Sequence, residues 1–163
     1  MKAIVIGAGE VGYNIADILS REGNDIILID RDESRLKAIS ENLDVQTIAG
    51  SGSNPRILKK AKLEQAEMIV AVTDSDETNI VACLIASAKS KVPIKIARIR
   101  TIDLDRESAL FGKDYLNIDL CINPEREAVK KAMRLMEYAG ASEVIDFADG
   151  RIKLIAFSID KTC

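Results

Sequence analysis

AIVIGAGEVG, residues 3–12, joins a short apolar run to three spaced glycines, and the rest of the chain is best interpreted outward from it. The run Ala3–Ile6 predicts a buried strand, and apolar residues at helical spacing from Val11 onward predict a helix. Glycines between a strand and a helix in this pattern are the fingerprint of a dinucleotide-binding turn. Gly7 permits the tight bend, Gly9 lets a pyrophosphate approach the backbone, and Gly12 lets the helix pack on the strand.

Asp30 is the second part of that fingerprint. It ends the apolar run Asp25–Asp30, about 20 residues beyond the glycines, where an acid hydrogen-bonds the ribose hydroxyls of an adenine nucleotide. An acid here also repels a 2′-phosphate, which favours NAD(H) over NADP(H). Asp32 is the better helix cap, and Arg31 is interpreted as a solvated charge, although an arginine here can accept that phosphate. Without Asp30, the glycines alone would be equally consistent with a tight turn that binds nothing.

Further strands are predicted near residues 45–48, 68–72, 94–98 and 118–122, with helical patterns between them. The continuous apolar runs are typical of parallel strands that are buried on both faces. Right-handed crossovers then give an α/β fold of the Rossmann type, a doubly wound parallel sheet, over residues 1–123. A crossover helix at 124–139 and the start of a C-terminal subdomain at 140–163, with a β-hairpin around Asp149-Gly150, complete the predicted organisation.

Ligands of such sheets bind beyond the carboxyl ends of the strands. These ends supply Gly50–Gly52, Thr73-Asp74 and Arg98–Arg100. Thr73 and Asp74 can meet ribose or nicotinamide groups, or Asp74 and Ser75 can simply cap the next helix. Arg98 can meet a phosphate or form an ion pair, and the two interpretations are equally consistent with the sequence. The full set of predicted nucleotide-binding residues is Gly7, Ala8, Gly9, Glu10, Val11, Gly12, Asp30, Thr73, Asp74 and Arg98.

The composition excludes several classes of protein. The 163 residues carry a net charge of −3, which argues against a nucleic-acid partner. Histidine is absent and the three cysteines are widely separated, so we expect no metal site, and Cys83 and Cys121 are interpreted as small buried residues. The longest apolar stretch, residues 80–88, falls far below the roughly 18 residues of a membrane span. A soluble protein without direct membrane insertion is therefore expected.

Several segments resemble the TrkA family, the cytoplasmic regulatory subunits of Trk potassium uptake systems, whose fold is shared with the RCK/KTN domains of potassium channels. The resemblance runs from Met1 to about Phe157. It is carried by the glycine motif with Tyr13, by Ile29-Asp30, by residues 71–79 (AVTDSDETN), by 95–100 (KIARIR), by 122–125 (INPE) and by 144–150 (VIDFADG).

This resemblance implies that NAD(H), or ATP/ADP, is bound by the residues matching Gly7–Val11, Asp30, Thr73, Asp74 and Arg98. It also implies a homodimer or larger ring in which the helix after Pro124 crosses to a second copy. The partner would be a membrane-embedded potassium transporter subunit, with this chain at the inner face of the cell membrane. Family members continue well beyond position 163, so the chain is expected to be a truncated part of a longer protein.

Two other function classes compete with a regulatory nucleotide-binding domain. An NAD-dependent dehydrogenase needs a proton donor near the nicotinamide, and the chain offers neither a histidine nor a Tyr-x-x-x-Lys pair. A carboxylate or lysine could still serve as that donor. An ATP/ADP-sensing switch would use Asp30 in the same way as an NAD(H) site, because both ligands carry an adenosine ribose. In either regulatory case, the ligand must bind one arrangement of the two copies better than the other.

Overall fold

The computed structural model describes residues 1–90, 92–100, 108–112, 115–147 and 151–159. They form two compact units, Met1–Ile122 and Asn123–Cys163. The strands of the first unit are β1 (Lys2–Ile6), β2 (Asp25–Asp30), β3 (Gln46–Ala49), β4 (Met68–Ala71), β5 (Ile94–Arg98) and β6 (Leu120–Ile122). The helices between them are α1 (Glu10–Arg21), α2 (Glu33–Ser40), α3 (Pro55–Lys60), α4 (Asp76–Ser90) and α5 (Ser108–Phe111).

The six strands form one sheet in the order β3-β2-β1-β4-β5-β6. Every pair of neighbours is parallel. The connection from β3 to β4 therefore passes over β1 and β2 to continue the sheet on the other side. This topology confirms the predicted doubly wound α/β fold and puts a ligand crevice where the winding reverses, between β1 and β4.

β1 runs through the middle of the sheet, and all of Ala3–Ile6 is at most 1% exposed. Ile4 and Ile6 belong to one apolar core, whereas Ala3 and Val5 belong to a second core on the opposite face. Alternate side chains of a strand point to opposite faces, so a sheet covered on both faces requires every position of β1 to be apolar. The uninterrupted apolar run in the sequence is explained by these two helical layers.

Short polar side chains start most of the helices. Asp32 caps α2 by accepting from the N–H groups of Ser34 at 3.0 Å and Arg35 at 3.2 Å, and the Ser34 hydroxyl chiefly lowers the pKa of its carboxyl. Asn54 caps α3, with Pro55 at the first helical position. For α4, the Thr78 N–H donates to the Ser75 hydroxyl at 3.1 Å. Ser75, of the two predicted caps, makes the bond that is typical of this position.

Two short helical elements lie where the sequence has no clear helical pattern. A 3₁₀ turn at Leu63–Gln65 follows α3, and Lys62 before it adopts a left-handed backbone with φ of 54°. In the charged stretch 101–115, α5 has only four residues, and much of the remaining stretch lies outside the described residues. Both stretches have weak apolar periodicity, which is why sequence patterning located them poorly.

The second unit contains helix α6 (Pro124–Glu137) and the antiparallel strands β7 (Ala141–Phe147) and β8 (Ile152–Phe157). Asn123 caps α6, and Arg134 binds Asp146 of β7 at 2.9 Å. Val129, Met133 and Met136 of α6 are more than half exposed. The predicted Asp149-Gly150 turn lies outside the described residues. Within the described ranges, no helix is long and apolar enough to cross a membrane.

Candidate functional site

A cleft of about 480 Å³ opens at the carboxyl ends of the strands in the first unit. Eight of the ten predicted nucleotide-binding residues line it, and two do not. Those that line it are Gly7, Gly9, Glu10, Val11, Asp30, Thr73, Asp74 and Arg98. Ala8 and Gly12 sit behind the lining, where they shape the turn. The loop Gly50–Gly52 also reaches the cleft, whereas Ile99 is fully buried.

The three glycines have different reasons for being glycine. Gly7 has a φ of +104°, and a Cβ there would lie 3.0 Å from the backbone of Val72 and Thr73. A Cβ on Gly12 would lie 1.8 Å from the carbonyl oxygen of Gly7, so the close packing of α1 on the turn excludes any side chain. The protein's own backbone therefore demands glycine at both positions.

Gly9 differs from both, because none of the described residues requires glycine there. Its φ of −74° is open to any residue. Among the described residues, a Cβ at Gly9 would meet no atom within 4 Å, and the position faces the cleft. Glycine at this place suits a group that approaches the backbone from outside the protein, as the phosphates of a dinucleotide do.

The N-terminus of α1 adds a positive electrostatic potential that favours a phosphate group. Gly9 is the N-cap residue and supplies no side-chain acceptor to the first turn. The first N–H groups of a helix lack partners within the helix and carry a partial positive charge. An anion at this end of α1 would accept from these N–H groups, which is how helix N-termini bind phosphates.

Asp30 is held by the backbone around it. Its Oδ2 accepts from the Ala8 N–H at 2.5 Å, and its Oδ1 accepts from the Asp32 N–H at 2.9 Å. The Gly7 N–H donates to the carbonyl of Ile29 at 2.8 Å, so two successive N–H groups of the turn are fixed to the end of β2. Asp30 thus orients the glycine turn and still faces the cleft, where its remaining lone pairs can accept from ribose hydroxyls.

Arginines and hydroxyls form the rim beside Asp30. Arg31 is exposed, as the solvated-charge interpretation predicts, but it also donates to the Ser51 hydroxyl at 3.1 Å and lines the cleft. Arg35 lines the cleft as well, with its Nε 3.3 Å from Asp32 Oδ2. Arg35 was not predicted, because an exposed arginine in the first turn of α2 has the sequence pattern of a solvated charge.

Thr73 and Arg98 lie on the other side of the cleft, at the ends of β4 and β5. They are joined by Asn79 of α4, a fully buried side chain that bonds to the backbone of both residues. Asp76, one turn earlier, accepts from the Arg100 N–H at 2.8 Å. Sequence patterning missed Asn79, and its only signal is an amide within the apolar face of a predicted helix.

Cys83 is fully buried, as the sequence predicts, whereas Cys121 is only partly buried. Burial raises the pKa of Cys83 to about 12 and that of Cys121 to about 11, so both stay protonated at neutral pH. Across the described ranges, no cluster of three or more histidine, cysteine or acidic side chains could hold a metal ion. The groups that the cleft does present are backbone N–H groups, hydroxyls, carboxylates and arginines, which suit a phosphorylated, hydroxyl-rich ligand.

Residues 3–124 match the family model of the TrkA-N domain. The chain is 41% identical over 156 residues to the Trk system potassium uptake protein TrkA of Halomonas elongata, covering 96% of this chain and 34% of that protein. It is 36% identical to the TrkA protein of Azorhizobium caulinodans, covering 100% of this chain and 36% of that protein. The chain thus spans about a third of the length of the curated relatives that it matches.

Solved structures share the fold at lower identity. The TrkA-N domain of the Escherichia coli inner membrane protein ybaL superposes with a TM-score of 0.72 at 22% identity, over 83% of this chain and 96% of that one. A GsuK channel bound to NAD superposes with a TM-score of 0.70 at 14% identity, over 91% of this chain and 25% of that one. The Shewanella denitrificans Kef C-terminal domain bound to AMP gives 0.65 at 16% identity, over 85% and 82%.

Proposed function

The chain belongs to the TrkA-N domain family, and from that premise we propose that it is a regulatory domain that binds an adenine nucleotide, NAD(H) first among them. The observation that carries the proposal is Gly9. Nothing among its described neighbours requires glycine there, yet the residue faces the cleft at the start of α1. A pyrophosphate seated against that backbone accounts for the missing side chain.

The rest of the cleft supports the same class of ligand. Bonds to Ala8 and Asp32 hold the Asp30 carboxylate at the cleft, where it would accept from ribose hydroxyls. Its negative charge favours NAD(H) over NADP(H). Solved structures of the same fold support an adenine nucleotide as the ligand but do not single out NAD(H). A GsuK channel is bound to NAD, and a Kef domain is bound to AMP. ATP and ADP remain alternative ligands, since Asp30 would serve any adenosine ribose equally.

A regulatory role fits the chain better than catalysis. A dehydrogenase needs a proton donor at the nicotinamide, and the sequence holds no histidine. The relatives at 36–41% identity carry the name of a potassium uptake protein. We therefore place the chain in the cytoplasm, as part of a regulatory subunit beneath a membrane-embedded potassium transporter. The exposed apolar side chains of α6 would cross to a second copy of the chain, giving a dimer or a larger ring.

Control of transport would follow from a shift between two arrangements of the copies. A ligand can move such an equilibrium only by binding one arrangement better than the other. The loop Gly50–Gly52 and the turn at Thr73-Asp74 both border the cleft and are the parts placed to sense what occupies it. NADH and NAD differ at the nicotinamide, so unequal affinity of the two forms is the simplest source of that preference.

Calorimetric titration of the purified chain with NADH, NAD, NADPH, ATP, ADP and AMP tests the proposal. The expected result is micromolar binding of at least one nucleotide, no turnover of NADH, and loss of binding in Gly9→Ala. Glu22→Ala, at the far end of α1, is the matched control and should bind like the original chain. Absence of binding by all six nucleotides would refute nucleotide regulation, and steady oxidation of NADH with an added carbonyl substrate would favour the dehydrogenase.

A further inference from the structure

Asn79 is a buried amide on a face of α4 that begins with the buried Asp76 and continues with small apolar residues. Its side chain is 0% exposed, as are Ala82, Cys83 and Ala86 of the same helix. A buried polar side chain is retained in a fold when its hydrogen-bonding groups find partners. The partners of Asn79 are not in α4 but at the ends of two strands, and both of those strand ends line the cleft.

The amide makes four contacts of hydrogen-bond length. Its Oδ1 lies 2.9 Å from the Thr73 nitrogen and 2.7 Å from the Thr73 hydroxyl oxygen. Its Nδ2 donates to the Thr73 carbonyl at 3.2 Å and to the Arg98 carbonyl at 2.8 Å. A backbone N–H can only donate and a carbonyl can only accept, so these partners leave one orientation for the amide. The side chain therefore fixes both residues at once.

The contacts of Asn79 lie on one side of the point where the winding of the sheet reverses. A dinucleotide lies across the point where the winding reverses, between β1 and β4, with one mononucleotide on each side. Gly9 and Asp30 line the half of the cleft that is formed by β1 and β2. Thr73 and Arg98 follow β4 and end β5, so they serve the second mononucleotide. The hydrogen bonds that are described for Asn79 go only to this second side.

The turn after β4 also has supports other than Asn79, among them the Ser75 N–H, which donates to the Thr73 hydroxyl at 3.2 Å. The Val72 N–H donates to the Ile6 carbonyl at 2.8 Å, which ties the start of the turn to β1 without Asn79. Beyond Val72, the backbone of Thr73 is held on both its N–H and its carbonyl by Asn79. A change at position 79 therefore acts on Thr73 and Arg98, whereas the side of the cleft that is formed by Gly9 and Asp30 keeps its own supports.

We propose that Asn79 is a positioning residue that selects dinucleotides over mononucleotides by setting the spacing between Thr73 and Arg98. This inference rests on the proposed nucleotide-binding function and adds a residue that does not itself line the cleft. Without the amide, Thr73 loses the partner of its N–H and its carbonyl and is no longer tied to Arg98, whereas Arg98 keeps its pairing with Ile122 of β6. AMP, which needs only the half formed by β1 and β2, is insensitive to that loss.

The test compares NADH and AMP on Asn79→Asp and Asn79→Ala. NADH binding is followed by its fluorescence, AMP binding by displacement of NADH, and folding by thermal unfolding and circular dichroism. Asn79→Asp keeps the size of the side chain but loses both N–H donors. If Asn79→Ala fails to fold, the NADH and AMP affinities of Asn79→Asp provide the test. Cys83→Ala, which removes a buried group one turn further along α4, is the control for general loosening of the helix.

The expected result is a loss of NADH affinity of about tenfold, the equivalent of one well-placed hydrogen bond. AMP affinity should change by less than about twofold, as for independent sites, and Cys83→Ala should leave the ratio of the two affinities unchanged. An equal loss for both ligands, or no loss for either, overturns the role of Asn79 while the proposed function stands. Failure of the unsubstituted chain to bind NADH overturns the role of Asn79, and absence of binding by all six nucleotides overturns the proposed function as well.

Discussion

The Ala8 N–H donates to the Asp30 carboxylate across 2.5 Å, so the turn after β1 is fastened to the residue that ends β2. The second oxygen of the same carboxylate accepts from the Asp32 N–H at 2.9 Å, at the start of α2. Asp30 is therefore part of the architecture of the cleft before any ligand arrives, and substitutions there have two separable effects.

We expect Asp30→Ala to lower the free energy of unfolding by about 1–3 kcal/mol, because two backbone N–H groups lose their acceptor in a partly buried place. Urea unfolding measures this loss. Asp30→Asn, which keeps one acceptor oxygen, should lose less stability but should also lose its preference for NADH over NADPH. If Asp30→Ala unfolds at the same urea concentration as the original chain, the bond to Ala8 contributes nothing to stability.

Gly9→Ala should separate ligand binding from folding. The new methyl group meets no atom of the described residues within 4 Å and φ is −74°, so we expect only the modest penalty of alanine at an N-cap, less than about 1 kcal/mol. Nucleotide affinity should fall by at least about tenfold, since the methyl group occupies the space that the phosphates need. Calorimetry and thermal unfolding of the same preparation check both statements. Undiminished affinity would mean that the phosphates do not lie against Gly9.

Gly12→Ala should behave in the opposite way. Its methyl carbon would lie 1.8 Å from the Gly7 carbonyl oxygen, so α1 must move away from the turn. Overpacking of this kind typically costs about 1–3 kcal/mol, and a contact with rigid backbone favours the upper end of that range. Urea unfolding of Gly9→Ala and Gly12→Ala side by side gives the comparison. Equal stability of the two variants would contradict the packing described for α1.

Cys83 and Cys121 should resist alkylation in the native protein. Burial raises their pKa values to about 12 and about 11, so few thiolates exist at pH 8. Peptide mass spectrometry after iodoacetamide treatment, with and without urea, measures the protection at each cysteine. The Cys83 thiol ionises at lower pH in the unfolded chain than in the folded chain. Its contribution to the free energy of unfolding is therefore complete below about pH 9 and is lost as pH rises toward 12. Rapid native labelling of Cys83 would contradict its burial.

Asp119→Ala should lower the free energy of unfolding more than is usual for a residue so near the surface. Its carboxylate lies 2.9 Å from the Lys95 ammonium, whose side chain is only 5% exposed. Removing the partner of a buried charge is strongly destabilising, and for this half-exposed carboxylate we expect about 2 kcal/mol in urea unfolding. Lys95→Met with Asp119→Ala should recover most of that loss. Glu127→Ala, which breaks an exposed pair, is the control and should cost less than about 0.5 kcal/mol.

The sheet could be predicted from sequence because its signal is repeated in several strands. β1, β2 and β4 are continuous apolar runs, and the same burial that selects these residues also dictates their parallel pairing. The cleft residues at the strand ends followed from topology, since parallel strands bring their carboxyl ends to one edge. Local polar residues such as Asp32 and Asn54 marked helix starts because a cap needs only neighbours in sequence.

What sequence could not supply were contacts between distant segments. Asn79 bonds to backbone groups of Thr73 and Arg98. Every residue has these backbone groups, so the sequence does not reveal which of them the amide will contact. The inward placement of Ala8 likewise depends on Asp30, 22 positions away. Asp74 and Ser75 were equally plausible caps for α4 until the first helical residue was located, because cap geometry changes with a shift of one position.

The place of β1 in the sheet also bears on how the chain is made. β1 pairs with β2 on one edge, but its other edge is completed only by β4, where Ala3 lies opposite Met68. During synthesis, a chain extended only through β3 carries an apolar strand with an unpaired edge, which is open to pairing with another nascent chain. The fold is therefore most exposed to aggregation before Met68–Ala71 leaves the ribosome, and its slow step should be the closure of β1 on β4.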